Sequence, residues 1–127
     1  MSNRILLVDP HEGLRRRIRS TLEDAGFEVC GEAANGLEAI ERTRALQPDL
    51  VITEIWLPLM NGLEAIPELA KRAPGAKIVV FTVDDVDELR REALRLGAHS
   101  FVGKHNPERL LIELAKLLGG ARAEEGD

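Results

Sequence analysis

The segment "DLVITEIWLPLMNG", residues 49–62, runs an apolar stretch into one acid, Glu54, and then breaks at Pro58 and Gly62. A short Val/Ile-rich run that is continuous rather than alternating is the pattern of a strand buried on both faces of a parallel sheet. Four other runs read the same way: "RILLVD" (4–9), "FEVCGEA" (27–33), "KIVVFT" (77–82) and "SFVGK" (100–104). The segments between them carry helical spacing. Leu14, Ile18 and Leu22 form the stripe of the first, and Leu110, Leu111, Leu114, Leu117 and Leu118 that of the last. The intermediate helices are expected at 36–46, 62–73 and 85–96, with Gly26 and Gly97 ending the first and fourth. Strands alternating with helices in this way predict an α/β, doubly wound (βα)5 chain with a five-stranded parallel sheet.

The hexapeptide "NGLEAI" occurs at 35–40 and again at 61–66. No period is sustained elsewhere, so each copy reads as a helix opening, with Asn35 or Asn61 as N-cap and Glu38 or Glu64 closing a capping box. Pro67 then has to lie within the first turn or so of its helix. One domain is expected over residues 1–119, and "GARAEEGD" (120–127) as a disordered tail or the start of a linker. A sequence that is 44% hydrophobic with a net charge of −5 fits an ordinary globular domain and argues against nucleic acid or an anionic membrane as its partner. The basic run "RRRIR" (15–19) reads as a solvated helix face. No apolar run has the length of a membrane span, the N-terminus does not read as a signal peptide, and a cytoplasmic location is expected. Cys30, the single cysteine, is expected as a buried thiol, and with three histidines it makes no metal-ligand spacing.

In an open α/β sheet, ligands bind beyond the carboxyl ends of the strands. Those ends carry Asp9, Glu54, Thr82 and Lys104, so two acids, a hydroxyl and an ammonium are expected to converge on one edge. Such a set suits phosphoryl chemistry, in which a carboxylate attacks while a hydroxyl and an ammonium hold the phosphate oxygens. Trp56 is placed at the rim, either packing over the site or shielding it from small phosphodonors and water. Asp84 is expected to cap the fourth helix, and His99 and His105 to lie on the surface.

Taken with their order and spacing, "ILLVD", "PDLVITEIWLPLMNG", "KIVVFT" and "GAHSFVGK" resemble the receiver domain of bacterial two-component response regulators over residues 4 to about 118. The resemblance implies a flavodoxin-like sheet of strand order 2-1-3-4-5 and a third-strand acid that accepts a phosphoryl group from a histidine kinase. It makes Glu54 the phosphoacceptor equivalent, Thr82 and Phe101 the switch pair, and Lys104 the phosphate-binding lysine. "FVGKHNPERLL" looks most like receivers joined to helix-turn-helix DNA-binding domains.

Two departures set the functional expectation. The family has an aspartate where this chain has Glu54, and two adjacent acids where it has Asp9 followed by Pro10. In the family that second acid is a Mg²⁺ ligand. Proline has no side-chain oxygen, and "DPHE" reads instead as a helix start with Asp9 as N-cap, Pro10 at N1 and Glu12 at N3. Asp9 and Glu54 alone would hold Mg²⁺ weakly, with Glu12 adding to them only if it left its capping role, so no metal or other cofactor is expected. The longer Glu54 side chain projects its carboxylate on the order of 1.5 Å further than aspartate, about one C–C bond. Misplacement of that size, without the metal, disfavours attack on a phosphodonor. The expected function is therefore an atypical receiver, not an enzyme and not phosphorylated at the usual site. It would act on a protein partner, either a histidine kinase or an output protein, as a monomer or weak homodimer. The family's usual output face, formed by the fourth helix, fifth strand and fifth helix, mixes Glu88, Arg91, Arg95, Glu108 and Lys116 here. Two other readings compete. One is a phosphorylatable receiver using weak Mg²⁺, possibly the regulatory part of a DNA-binding regulator. The other is a small-ligand flavodoxin-like domain, which "DPHEG" serves poorly as a phosphate loop.

Overall fold

The computed structural model describes residues 3–119, so the expected tail at 120–127 lies outside the described residues. Five strands, β1 (Arg4–Val8), β2 (Glu28–Ala33), β3 (Leu50–Thr53), β4 (Lys77–Thr82) and β5 (Ser100–Gly103), alternate with five helices. The helices are α1 (Glu12–Asp24), α2 (Gly36–Leu46), α3 (Gly62–Arg72), α4 (Asp87–Leu96) and α5 (Pro107–Leu117). All pairings are parallel and the strand order is β2-β1-β3-β4-β5. This is the doubly wound parallel sheet expected from the alternation, in the flavodoxin-like strand order that the resemblance implies.

The continuous apolar runs bury both faces of the sheet. Leu6, Val8, Val51, Ile78, Val80 and Phe101 pack on one side with Ala39 of α2, Ile66 of α3 and Ala93 of α4. Ile5, Leu7, Leu50, Ile52, Val79, Phe81 and Val102 pack on the other with Ile18 and Leu22 of α1 and Leu110 and Leu114 of α5. Each side thus forms its own core, and the period-2 alternation of strand side chains divides the residues between them. Among the described residues no helix is long and apolar enough to cross a membrane.

The repeated hexapeptide opens α2 and α3 as expected, but the two copies differ in detail. Asn61 and Glu64 form the full capping box, whereas Glu38 reaches past Asn35 to accept from the Ala34 amide at 2.8 Å. Both glycines are required by close approach: a Cβ on Gly36 would lie 2.0 Å from the Met60 carbonyl oxygen, and one on Gly62 would lie 2.3 Å from that of Glu54. The repeat therefore seats two helix N-termini against the loop that follows β3. Pro67 lies beyond the first turn, inside α3, where the Leu63 carbonyl forgoes its usual helical donor.

Other expectations are corrected. The first helix does not start with Asp9 as N-cap and Pro10 at N1. Its N-cap is His11, with no side-chain cap, because Asp9 Oδ1 turns back to accept the His11 amide at 2.8 Å and its other oxygen is taken by Lys104. Glu12 accordingly pairs with Arg16 at 3.1 Å on the solvent side of α1. The fourth helix begins at Asp87 rather than 85, and its N-cap is Val86, not Asp84. Cys30 is half-buried rather than buried, since β2 is the edge strand and the β1–β2 register slips between Ile5 and Leu6, opposite Cys30. Burial raises its thiol pKa, which favours an inert thiol.

Candidate functional site

Parallel pairing in register is what gathers the site. Val8 is aligned with Thr53, so Asp9 and Glu54 leave neighbouring strands side by side, and the Glu54 amide still donates to the Val8 carbonyl at 3.1 Å. Thr82, the last residue of β4, is aligned with Gly103, and the Lys104 amide donates to the Thr82 carbonyl at 2.8 Å. Asp9, Glu54 and Thr82 are all buried, at 2%, 3% and 0% exposure, so their polar groups must find partners within the protein.

They find one another. Lys104 Nζ lies 2.5 Å from Asp9 Oδ2 and 2.8 Å from Glu54 Oε1, bridging the two acids. Glu54 Oε2 accepts from the Ile55 amide at 2.7 Å and more distantly from the Trp56 amide at 3.4 Å. Glu54 Oε1 accepts from the Val83 amide at 3.3 Å, and the Thr82 hydroxyl donates to the same carboxylate. Burial pushes the Glu54 pKa up, but the hydrogen bonds from Lys104 and Thr82, the Lys104 charge and the Ile55 amide outweigh it and hold the carboxyl below its ordinary value. Glu54 is thus an anion in a nest of donors contributed by β3, β4 and β5.

The four strand-end residues Asp9, Glu54, Thr82 and Lys104 come together, while Phe101 lies apart from them in the core. Thr82 faces inward, with its hydroxyl also accepting from the Asp84 amide at 3.1 Å. Phe101 is buried on the α2–α3–α4 side of the sheet. Trp56 is half exposed at the rim, and its indole Nε1 donates to Asp84 Oδ2 at 3.3 Å. This contact draws Asp84 to the mouth of the pocket and away from α4. His105 is on the surface as expected. His99 is exposed but not idle: its Nδ1 accepts from the Ile78 amide at 3.0 Å, and burial with the nearby Lys77 charge lowers its pKa.

Sequence reasoning missed the main-chain donors of Ile55, Trp56 and Val83, which no residue type announces. It also missed Arg90, whose guanidinium covers the Phe101 ring. A cation placed near the start of the helix beside an aromatic β5 residue was the available signal.

The residues present do not fit Mg²⁺. Among the described residues no three His, Cys, Asp or Glu side chains form a metal-holding group. Position 10 offers no side-chain oxygen, and all four carboxylate oxygens of Asp9 and Glu54 already accept from Lys104 or from backbone amides. A cation that demands near-octahedral oxygen coordination would have to displace those donors.

The response regulator receiver domain model matches residues 5–116. The chain is 39% identical over 118 residues to the chemotaxis protein CheY of Thermotoga maritima, covering 92% of this chain and 98% of that one. It is 35% identical to the virulence-factor transcription regulator BvgA of Bordetella pertussis, covering 91% of this chain but only 56% of that protein. A LuxR-family two-component response regulator from Aurantimonas superposes with a TM-score of 0.89 at 31% identity, covering 94% of this chain and 87% of that structure. A match along nearly the whole chain, a shared strand order and the convergence of the strand-end residues agree: this chain belongs to the response regulator receiver domain family of two-component signalling.

Proposed function

We propose that this receiver is not phosphorylated at its usual position, and that Glu54 serves as a permanent occupant of the phosphoryl-binding nest. The observation that carries this reading is the Glu54 carboxylate itself. It takes the Lys104 ammonium, the Thr82 hydroxyl and the Val83 amide, the donors a phosphoryl group at this edge would need. Its anion is satisfied before any phosphodonor arrives, so it is a poor nucleophile, and no Mg²⁺ is held beside it to neutralise an incoming phosphate. With Thr82 drawn inward and Phe101 buried, Glu54 imitates the phosphorylated arrangement with one charge where a phosphoryl group brings nearly two.

Output then runs through protein contact. The α4–β5–α5 face presents both signs of charge, which suits selection of a kinase or an output protein by complementarity. A role as the receiver part of a DNA-binding regulator is compatible with the relation to BvgA and does not alter the chemistry of the pocket.

The test is exposure to acetyl phosphate and Mg²⁺ with intact-mass detection, alongside a Mg²⁺ and beryllofluoride titration followed through Trp56. The expected result is no phosphoryl mass gain and no saturable fluorescence change. Pro10→Asp combined with Glu54→Asp is expected to bring a saturable Mg²⁺ response. A phosphoryl adduct on the unmodified chain would overturn the reading and restore the phosphorylation switch.

A further inference from the structure

Phe101 is held from outside by one side chain. Arg90, in the first turns of α4, places its guanidinium carbon 4.9 Å from the Phe101 ring centroid. Its Nη1 donates to the Phe101 carbonyl at 3.0 Å, and its Nη2 donates to Asp85 Oδ1 at 3.2 Å. A single planar cation therefore touches the face of the switch aromatic, the backbone of the residue bearing it, and the loop between β4 and α4. Asp85 Oδ2 also faces His105 after β5, 3.8 Å from its Nε2. Gly103 leaves the clearance for this: a Cβ there would lie 2.4 Å from the His105 ring and 2.7 Å from Asp85 Oδ2.

From this geometry we infer that Arg90 is a positioning residue: with Asp85 as its anchor, it clamps Phe101 in the buried position and ties that position to the β4–α4 loop. Guanidinium suits the task because its fork can stack on a ring and donate along two directions at once, which an ammonium on a flexible stem cannot do. Phe101 lacks the hydroxyl that would give an outward-turned tyrosine a polar partner in water, so the inward position needs only a cover, and Arg90 supplies it. The clamp lies on the α4–β5 surface, with Arg90 41% exposed, so a partner binding that face through an acidic group would compete for the guanidinium and thereby act on Phe101. The inference rests on the reading of Thr82 and Phe101 as the switch pair and adds a second hold on that pair, separate from the Glu54 nest.

The three phenylalanines make the test local. Phe27 and Phe81 lie in the core on the α1–α5 side, whereas Phe101 lies on the opposite side. In protein labelled with 4-fluorophenylalanine, the solvent isotope shift of each ¹⁹F resonance reports whether its ring meets water. Arg90→Gln is expected to raise the exposed population of Phe101 by about tenfold, the scale for loss of a stacked cation and a charge-assisted hydrogen bond together. Phe27 and Phe81 should stay fixed. Arg90→Lys, which keeps the charge without the fork, and Asp85→Asn, which removes the anchor, should give smaller shifts in the same direction. A Phe101 resonance that stays buried in Arg90→Gln would overturn the clamp, as would equal movement of all three resonances, which would mean general loosening. Neither result bears on the Glu54 nest, which stands or falls on the response of the unmodified chain to acetyl phosphate and beryllofluoride.

Discussion

The two halves of the pocket have been treated differently. On the β1–β3 side, where Asp9 and Glu54 stand, the residue types depart from the family pattern: proline follows Asp9, and glutamate replaces the expected aspartate. On the β4–β5 side, Thr82, Phe101 and Lys104 keep it. On the function proposed above, the acid side has lost the apparatus for acquiring a phosphate, while the other side keeps the apparatus for responding to one. What joins them is Glu54, long enough to leave β3 and reach the donors of β4 and β5. On that reading, the extra methylene that disfavours an in-line attack is the same methylene that lets the carboxylate span the pocket.

The largest expected effect comes from breaking that junction. Lys104 is the cation between two carboxylates that are almost fully buried, and its own side chain is only 9% exposed. Lys104→Met leaves two like charges facing each other without a counterion, and should cost about 3–5 kcal/mol, as for other broken buried ion pairs. Denaturant unfolding at pH 7 reads this directly. Part of the loss should return near pH 5, because one of two adjacent carboxyls can then take up a proton. A loss under about 1 kcal/mol would mean that the lysine is not the tie between the halves and that the pair behaves like a surface ion pair.

A smaller effect is expected on the switch side. Thr82→Val removes the hydroxyl that donates to Glu54 and accepts from the Asp84 amide while roughly conserving shape. It should cost about 1–3 kcal/mol, the penalty for leaving buried polar groups short of a partner. Combining it with Glu54→Gln sharpens the comparison. If the halves are joined through this contact, the double variant should depart from additivity by at least about 0.5 kcal/mol. Strict additivity would show Thr82 held inward by something other than Glu54, such as the Asp84 amide, and would leave the Arg90 clamp as the tie on Phe101.

How much of this could be read from the sequence follows from what kind of feature each part is. The sheet was legible because its runs are buried on both faces, and the strand ends then named Asp9, Glu54, Thr82 and Lys104. The start of α1 was misread because Asp9 had two possible uses. Its carboxylate could cap a helix or meet Lys104, a residue far along the chain, and a local pattern cannot weigh a partner at that separation. Asp84 was misread likewise, since the indole that claims it comes from the loop after β3. Cys30 looked buried because "FEVCGEA" is apolar, but apolarity does not show that its strand lies at the sheet edge. The amides of Ile55 and Val83 were beyond reach in another sense: every residue but proline has one, and only the fold aims it.

The smallest effect tests whether the Glu54 carboxylate is an anion in the folded state. Its neighbours hold its pKa below the ordinary value, whereas in the unfolded chain a glutamate titrates near about 4.3. Between those two values the unfolded state binds the extra proton, so stability falls with falling pH. The contribution of Glu54 is complete above the unfolded value and is lost as pH drops through the folded one. Glu32 and Glu113, each held low by arginine or other partners, add to the same acid slope. Glu54→Gln should therefore flatten the decline of stability below about pH 5 without abolishing it. It should leave untouched the separate loss between neutrality and that pH that comes from His99, whose protonation is disfavoured by burial and by the nearby Lys77 charge. An acid decline that steepens in Glu54→Gln would mean that position 54 is protonated when folded, because such a group binds its extra proton in the native state and adds stability as pH falls. A protonated Glu54 carries no charge to imitate a phosphoryl group, so this outcome would remove the tie between the two halves of the pocket.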